Sequence, residues 1–188
     1  MGWSAIEPLP ASGHRLFILL SVVGMGLLYE MFGMTLLLLK GCVLFEALLY
    51  LSLQDIYFGL LPDRIVFPTA ILGLLFAFFD GGIGVEDSLL GGTIGGGVLL
   101  FLRALSKKGM GLGDIKLGMA LGVWLGIYGA AFALWSAYMM GGLWALCRLA
   151  LGASRKDTIR FGPFLSIGAM LVFFFEDTIL LWIWWWMH

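Results

Sequence analysis

The chain has 188 residues, of which 61% are hydrophobic and 12% are charged, and its mean hydropathy is +1.02. Soluble globular domains are far less apolar, so a lipid bilayer is the expected solvent. The net charge of −1 lacks the basic excess that nucleic-acid binding requires, so no nucleic-acid partner is expected.

Apolar runs recur from Leu16 to the C-terminus, and charged residues or clusters of Gly and Pro interrupt them. Because a spanning helix needs roughly 20 apolar residues, these runs predict an all-α, polytopic bundle of about seven transmembrane helices. A count of six is the alternative, since the fifth segment is short. The predicted segments are Leu16–Tyr29, Met34–Leu53, Ile65–Phe79, Leu89–Leu105, Ile115–Leu125, Ile127–Leu149 and Phe161–Phe175.

The two ends of the chain are predicted to lie outside the bundle. Residues 1–15 have no positive region followed by a small-residue cleavage site, so they are interpreted as a short cytoplasmic tail. Residues 16–176 form one predicted transmembrane domain. Residues 177–188 contain a cluster of tryptophans, which is typical of a membrane interface, and are interpreted as an interfacial tail.

The basic residues predict the orientation, because Lys and Arg are enriched in cytoplasmic loops. With the N-terminus in the cytoplasm, every one of the 11 Lys and Arg residues except Lys40 falls on the cytoplasmic side. Asp55 and Asp114 are then both placed on that side. Lys116 is explained by this rule or by contact with membrane lipid.

Asp55 and Asp114 are the main candidate site residues, because a carboxylate in a membrane segment is costly and often marks a site or a water-filled cavity. A lone interfacial Asp would more often cap a helix. Here, however, Asp55 precedes Gly59 and Pro62, which should end its helix. Asp114 follows glycines, including Gly111 and Gly113, that allow close backbone approach before a helix begins.

Three motifs in this order resemble those of the type IV prepilin peptidases, which are GxGD aspartyl proteases of the bacterial inner membrane. They are Asp55 with Leu60-Leu61-Pro62-Asp63, Gly111-Leu112-Gly113-Asp114 with Ile115-Lys116-Leu117, and Phe161-Gly162-Pro163-Phe164-Leu165. The resemblance implies that Asp55 and Asp114 are the catalytic pair. It also implies cleavage of a prepilin or pseudopilin leader after a glycine, at the cytoplasmic membrane face.

The resemblance gives supporting roles to other residues of the three motifs. Gly111, Gly113 and Lys116 are expected to support the catalytic loop, and Pro62, Gly162 and Pro163 to contact substrate or hold the structure.

Many members of the family also methylate the new N-terminus, and they carry a cytoplasmic domain with two CxxC pairs. The present sequence resembles the short form without that domain, so methyltransferase activity is not expected from it. Its two cysteines, Cys42 and Cys147, lie in apolar runs far from any CxxC spacing. They are predicted to be packing residues rather than disulfide or zinc-site residues.

Two carboxylates suffice for peptide hydrolysis, so no metal and no cofactor is expected. The ionised carboxylate takes a proton from water, and the protonated one donates a hydrogen bond to the carbonyl oxygen. His14 and His188 lie at the two termini, where a Ser-His-Asp triad or an HExxH site is implausible. The helix dipole favours Asp114, at a predicted helix N-terminus, as the base, and Asp55, near a predicted C-terminus, as the acid.

Other interpretations remain open. A small proton- or ion-coupled transporter could use the same carboxylates, although no internal repeat supports it. A presenilin-like GxGD protease is a second alternative, but its first aspartate usually follows a tyrosine and Asp55 follows Gln54. A homo-oligomer is also compatible with the sequence.

Two further patterns predict helix packing. Glycines at small-xxx-small spacing favour close packing of helices. They are Gly91/Gly95, Gly92/Gly96 and Gly118/Gly122/Gly126. Glu46 lies on the opposite helix face from Asp55 and is predicted to make an interhelical hydrogen bond or to face an outward cavity.

Overall fold

The computed structural model describes residues 6–79, 83–106, 110–152 and 160–187, except for the side chains of 176–184, 186 and 187. These residues form an all-α protein with six helices. The helices are α1 (Ala11–Phe32), α2 (Leu36–Phe58), α3 (Asp63–Phe79), α4 (Val85–Leu105), α5 (Leu112–Ala150) and α6 (Gly162–Met187).

Four helices, α1, α2, α4 and α5, are long and apolar enough to cross a membrane, and Gly162–Phe175 of α6 is a shorter apolar helix. The surface fits a lipid environment. On α1, for example, Ile18, Leu19 and Val22 are each at least 60% exposed. Because water would strongly disfavour such a surface, the predicted helical membrane protein is confirmed at this level.

Gly126 divides α5 into two segments, because its backbone has φ 67° and ψ −171°. This left-handed φ is one that glycine adopts without steric cost. A continuous helix would separate Asp114 from Tyr138 by about 36 Å. Tyr138 instead packs against Phe161, and the next residue, Gly162, binds Asp55, which lines one cavity with Asp114. The second segment therefore runs back antiparallel to the first, and Asp87 of α4 accepts a 3.2 Å hydrogen bond from the Ile127 N–H at the reversal.

The predicted count of seven helices is not confirmed, since the predicted fifth and sixth segments are one element, α5. The predicted boundary between them does coincide with Gly126, where the helical backbone is interrupted. The structure also starts α1 at Ala11 instead of Leu16, so the last five residues of the predicted tail, 11–15, are helical. At the other end α6 continues to Met187, but most tryptophan side chains of the predicted interfacial tail lie outside the described residues.

The glycine pattern packs α4 against the first segment of α5. A Cβ atom added to Gly122 would lie 2.0 Å from the Gly91 carbonyl oxygen, and one added to Gly95 would lie 2.3 Å from that of Gly118. Neither contact leaves room for a side chain. The predicted small-xxx-small packing is therefore confirmed for this pair of helices.

Polar contacts join other helices. Trp124 of α5 is buried, and its Nε1 donates a 2.7 Å hydrogen bond to the Thr69 carbonyl of α3. Ser21 of α1 donates a 2.7 Å hydrogen bond to Glu46 of α2, which is an interhelical bond, one of the two interpretations given for Glu46; its partner was not predicted. Among the cysteines, Cys42 packs against the core, but Cys147 is exposed, so the prediction of a packing role is wrong for Cys147.

Candidate active site

The first part of the site is the C-terminal end of α2. Asp55 lies in the last turn and is only 6% exposed. Gly59 ends the helix with a left-handed backbone (φ 67°, ψ 31°), and its N–H donates a 2.9 Å hydrogen bond to the Asp55 carbonyl. The buried Pro62 then precedes α3, whose Val66 N–H donates to the Pro62 carbonyl at 3.1 Å. The helix break predicted after Asp55 is thus present.

The second part is the N-terminal end of α5. Asp114 lies in the first turn of this helix, and its Oδ2 accepts a 3.2 Å hydrogen bond from the Gly111 N–H. Gly113 lets this turn approach the α2–α3 connection, because a Cβ there would lie 2.9 Å from Leu61 Cβ. Arg103, in the last turn of α4, donates to the Met110 carbonyl and so ties α4 to the loop before Gly111.

The third part is the start of α6, where the motif Phe161-Gly162-Pro163 meets Asp55. The Gly162 N–H donates a 2.9 Å hydrogen bond to Asp55 Oδ2. A Cβ at Gly162 would lie only 2.8 Å from the same oxygen, so the backbone can come this close because the residue is glycine. Pro163 fits the first turn, where a backbone N–H has no intrahelical acceptor.

Asp55 and Asp114 line one cavity of about 340 Å³, although they belong to different helices. Gly111, Gly113 and Lys116 line it too, so the structure brings most of the predicted site residues together. Gly162 reaches the site through Asp55. Within the described ranges, no group of three or more His, Cys, Asp or Glu side chains is arranged to hold a metal ion.

Lys116 forms an ion pair with Asp63, at 2.8 and 2.7 Å from the two carboxylate oxygens. Its Nζ also lies 5.7 Å from the centroid of the Phe67 ring. This pair joins the N-terminal ends of α3 and α5, and both residues line the cavity. The sequence had placed Asp63 within a motif but had not identified it as the partner of Lys116.

Two basic residues near the carboxylates were interpreted from the sequence only as cytoplasmic charges. Arg103 holds the loop before Gly111 through the Met110 carbonyl. The Arg160 guanidinium packs directly against Gly59, where an added Cβ would overlap it. Nothing in the local sequence predicts either contact, because each depends on how distant helices pack.

Both carboxylates lie next to a helix N-terminus. Asp114 belongs to the first turn of α5, and Asp55 accepts a hydrogen bond from the first residue of α6. The dipole of α2 alone had suggested that Asp55 is the acid of the pair. At Asp55 the N-terminus of α6 favours negative charge, whereas the C-terminus of α2 disfavours it. Helix dipoles therefore do not determine which carboxylate is the acid and which is the base.

Comparison with known proteins identifies relatives of the chain. Residues 42–146 match the family model described as the type IV leader peptidase family. Proteins named "Prepilin leader peptidase/N-methyltransferase" are similar to it. The one from Neisseria gonorrhoeae is 32% identical over 179 residues, covering 93% of this chain and 62% of the relative. The one from Escherichia coli (strain K12) is 35% identical over 128 residues, covering 65% of this chain and 57% of the relative.

The chain spans about half the length of several of these relatives, for example 46% of the one from Dichelobacter nodosus, with which it is 36% identical over 133 residues. None of the solved structures compared with the chain matched it. The family model nevertheless covers more than half of the chain and includes both Asp55 and Asp114. The protein therefore belongs to the type IV leader peptidase family.

Proposed function

We propose that the protein is an aspartic endopeptidase that removes the leader of type IV prepilins or pseudopilins, with Asp55 and Asp114 as its catalytic pair. The observation that carries this proposal is the common cavity of about 340 Å³ that both aspartates line. Membership of the type IV leader peptidase family supports it and favours a peptidase over a transporter.

The cavity offers the groups that hydrolysis of a peptide bond requires. One carboxylate, ionised, accepts a proton from water as the water attacks the scissile carbonyl carbon. The other, protonated, donates a hydrogen bond to the carbonyl oxygen and stabilises the charge that develops there. Since neighbouring carboxylates do not easily ionise together, the two share one proton and titrate as a pair. Cleavage after a glycine of the leader is part of the proposal.

The membrane topology is part of the same proposal: a multi-pass protein of the bacterial inner membrane with its N-terminus and its site on the cytoplasmic side. Basic residues support it, because Arg64, Arg103, Lys116 and Arg160 lie in the helix ends and loops that surround the site. Positive residues of this kind are enriched on the cytoplasmic side of membrane proteins. The exposed apolar helix faces would contact lipid.

The test replaces each aspartate with asparagine, which has nearly the same shape but cannot exchange the proton. We expect Asp55→Asn and Asp114→Asn each to reduce leader cleavage by about a thousandfold or more in reconstituted vesicles. Glu86→Gln is the matched control, because this exposed acid lies in the first turn of α4 and outside the cavity. Retained turnover in either aspartate variant would contradict the assignment.

The readout in the vesicles is the mass of the cleaved prepilin, and co-expression with candidate prepilins gives the mass of the mature N-terminus in cells. Cleavage alone leaves a free amine, whereas methylation adds a methyl group to it. The relatives' name includes an N-methyltransferase, but the present proposal covers peptidase chemistry alone. A proton-flux measurement on the same vesicles tests the transporter alternative directly.

A further inference from the structure

Tyr138 carries a buried polar group that the proposed chemistry has not used. It lies in the second segment of α5, and its ring centroid is 4.9 Å from that of Phe161. Its hydroxyl is buried and has no hydrogen-bond partner among the residues that the structure describes. Since buried polar groups almost always have partners, this hydroxyl needs an explanation.

The position of the hydroxyl suggests one. Phe161 directly precedes Gly162, whose N–H binds Asp55 Oδ2. Asp55 in turn lines the same cavity as Asp114. The reversal of α5 at Gly126 therefore returns Tyr138 to the place where the ends of α2, α5 and α6 meet.

We infer that Tyr138 is a positioning residue for the carboxylate pair, and that its hydroxyl donates a hydrogen bond to Asp114 directly or through one water. A phenol is a suitable donor for a carboxylate. The Gly111 N–H holds one oxygen of Asp114 at 3.2 Å, which is at the long end of the normal range. A second donor would fix the plane of the carboxylate. Hydrogen bonds in catalytic sites often tighten only when substrate is bound, which accounts for the free hydroxyl here.

This inference rests on the proposed function, and it competes with a purely structural role for the ring. Tyr138→Phe separates the two, because the variant keeps the contact with Phe161 and loses only the hydroxyl. If the ring alone matters, the variant should be as active as the wild type. It should also be at least as stable, since removing an unpartnered buried hydroxyl costs little.

The measurement is steady-state cleavage of a prepilin by purified protein in vesicles, together with thermal unfolding. We expect Tyr138→Phe to lower kcat by about tenfold with KM unchanged, as for loss of a hydrogen bond to a charged group. The unfolding midpoint should stay the same or rise. Tyr128→Phe is the matched control, because Tyr128 is on the same helix and 51% exposed, and it should change neither value.

The outcomes distinguish this inference from the proposed function. An unchanged kcat in Tyr138→Phe, or a loss that follows a lower unfolding midpoint, would overturn the positioning role and leave the peptidase assignment intact. Turnover retained by Asp55→Asn or Asp114→Asn would instead overturn the assignment of the carboxylate pair on which the inference rests.

Discussion

Glycine performs different tasks in two regions of this protein. At the interface between α4 and α5, an added Cβ would meet backbone atoms, as at Gly122, 2.0 Å from the Gly91 carbonyl oxygen. Around the carboxylates it would meet side chains. At Gly162 it would lie 2.8 Å from Asp55 Oδ2, and at Gly113 it would lie 2.9 Å from Leu61 Cβ.

Whether the added methyl group meets backbone or side-chain atoms determines what a glycine-to-alanine change would disturb. Backbone atoms of a packed helix cannot move without separating the helices, so the α4–α5 interface would lose stability. A side chain can rotate or shift, so the protein would stay folded. The side chains around the carboxylates would move from their present positions. The same change from glycine to alanine should therefore reduce stability in one region and activity in the other.

The largest of these effects is expected at Gly162. In Gly162→Ala the new methyl group would push the Asp55 carboxylate away, since it would also lie 3.1 Å from Asp55 Cβ. A displacement on the order of 1 Å in a catalytic group can reduce the rate about a hundredfold. We expect kcat to fall by about that factor with little change in thermal unfolding, as measured on purified protein.

Gly97→Ala is the matched control for this change, because an added Cβ at Gly97 in α4 would have nothing within 4 Å. It should leave activity unchanged and stability unchanged or slightly higher, because alanine has the greater helix propensity. If Gly162→Ala retained full activity, close approach of the α6 N-terminus to Asp55 would not matter for the reaction.

The next effect is expected at the helix interface. Gly122→Ala places a methyl group against the Gly91 backbone, and overpacking of this kind typically costs about 1–3 kcal/mol. We expect a lower unfolding midpoint in detergent, followed by far-UV circular dichroism, while the activity of each folded molecule is retained. If Gly122→Ala had the unfolding midpoint of the wild type, α4 and α5 could move apart to accommodate the methyl group without loss of stability. Gly97→Ala again serves as the control.

The sequence predicted the features that depend on local chemistry. Asp55 and Asp114 were identified as candidates because each carboxylate lies beside glycine or proline at a helix end. The structure brings both to one cavity, and their catalytic role stays a prediction. The close packing of α4 on α5 was identified from glycine spacing, since small residues four apart share one helix face. Both predictions use residues that are near each other in the chain.

The features that depend on distant packing could not be predicted in this way. The Gly162 N–H on Asp55 and the Lys116–Asp63 ion pair join residues far apart in sequence. The early start of α1 has a similar cause. Its N-cap, Pro10, makes no side-chain cap, but Gln54 of α2 donates a 2.6 Å hydrogen bond to the Glu7 carbonyl and holds the preceding segment in place.

The smallest effect is expected at Lys116, whose ion pair borders the cavity without touching either aspartate in the described contacts. The Lys116 and Asp63 side chains are 37% and 19% exposed, so water weakens their attraction. Exposed pairs contribute about 0.2–1 kcal/mol, and we therefore expect Lys116→Met to lower kcat/KM by no more than about fivefold.

Asp63→Asn should lower kcat/KM by a similar factor, and the double variant should be no worse than either single one, because both changes remove the same interaction. Steady-state cleavage by the four proteins of this cycle provides the measurement. If the two effects were instead additive, each side chain would act separately, and Lys116 would contact substrate or lipid independently of Asp63.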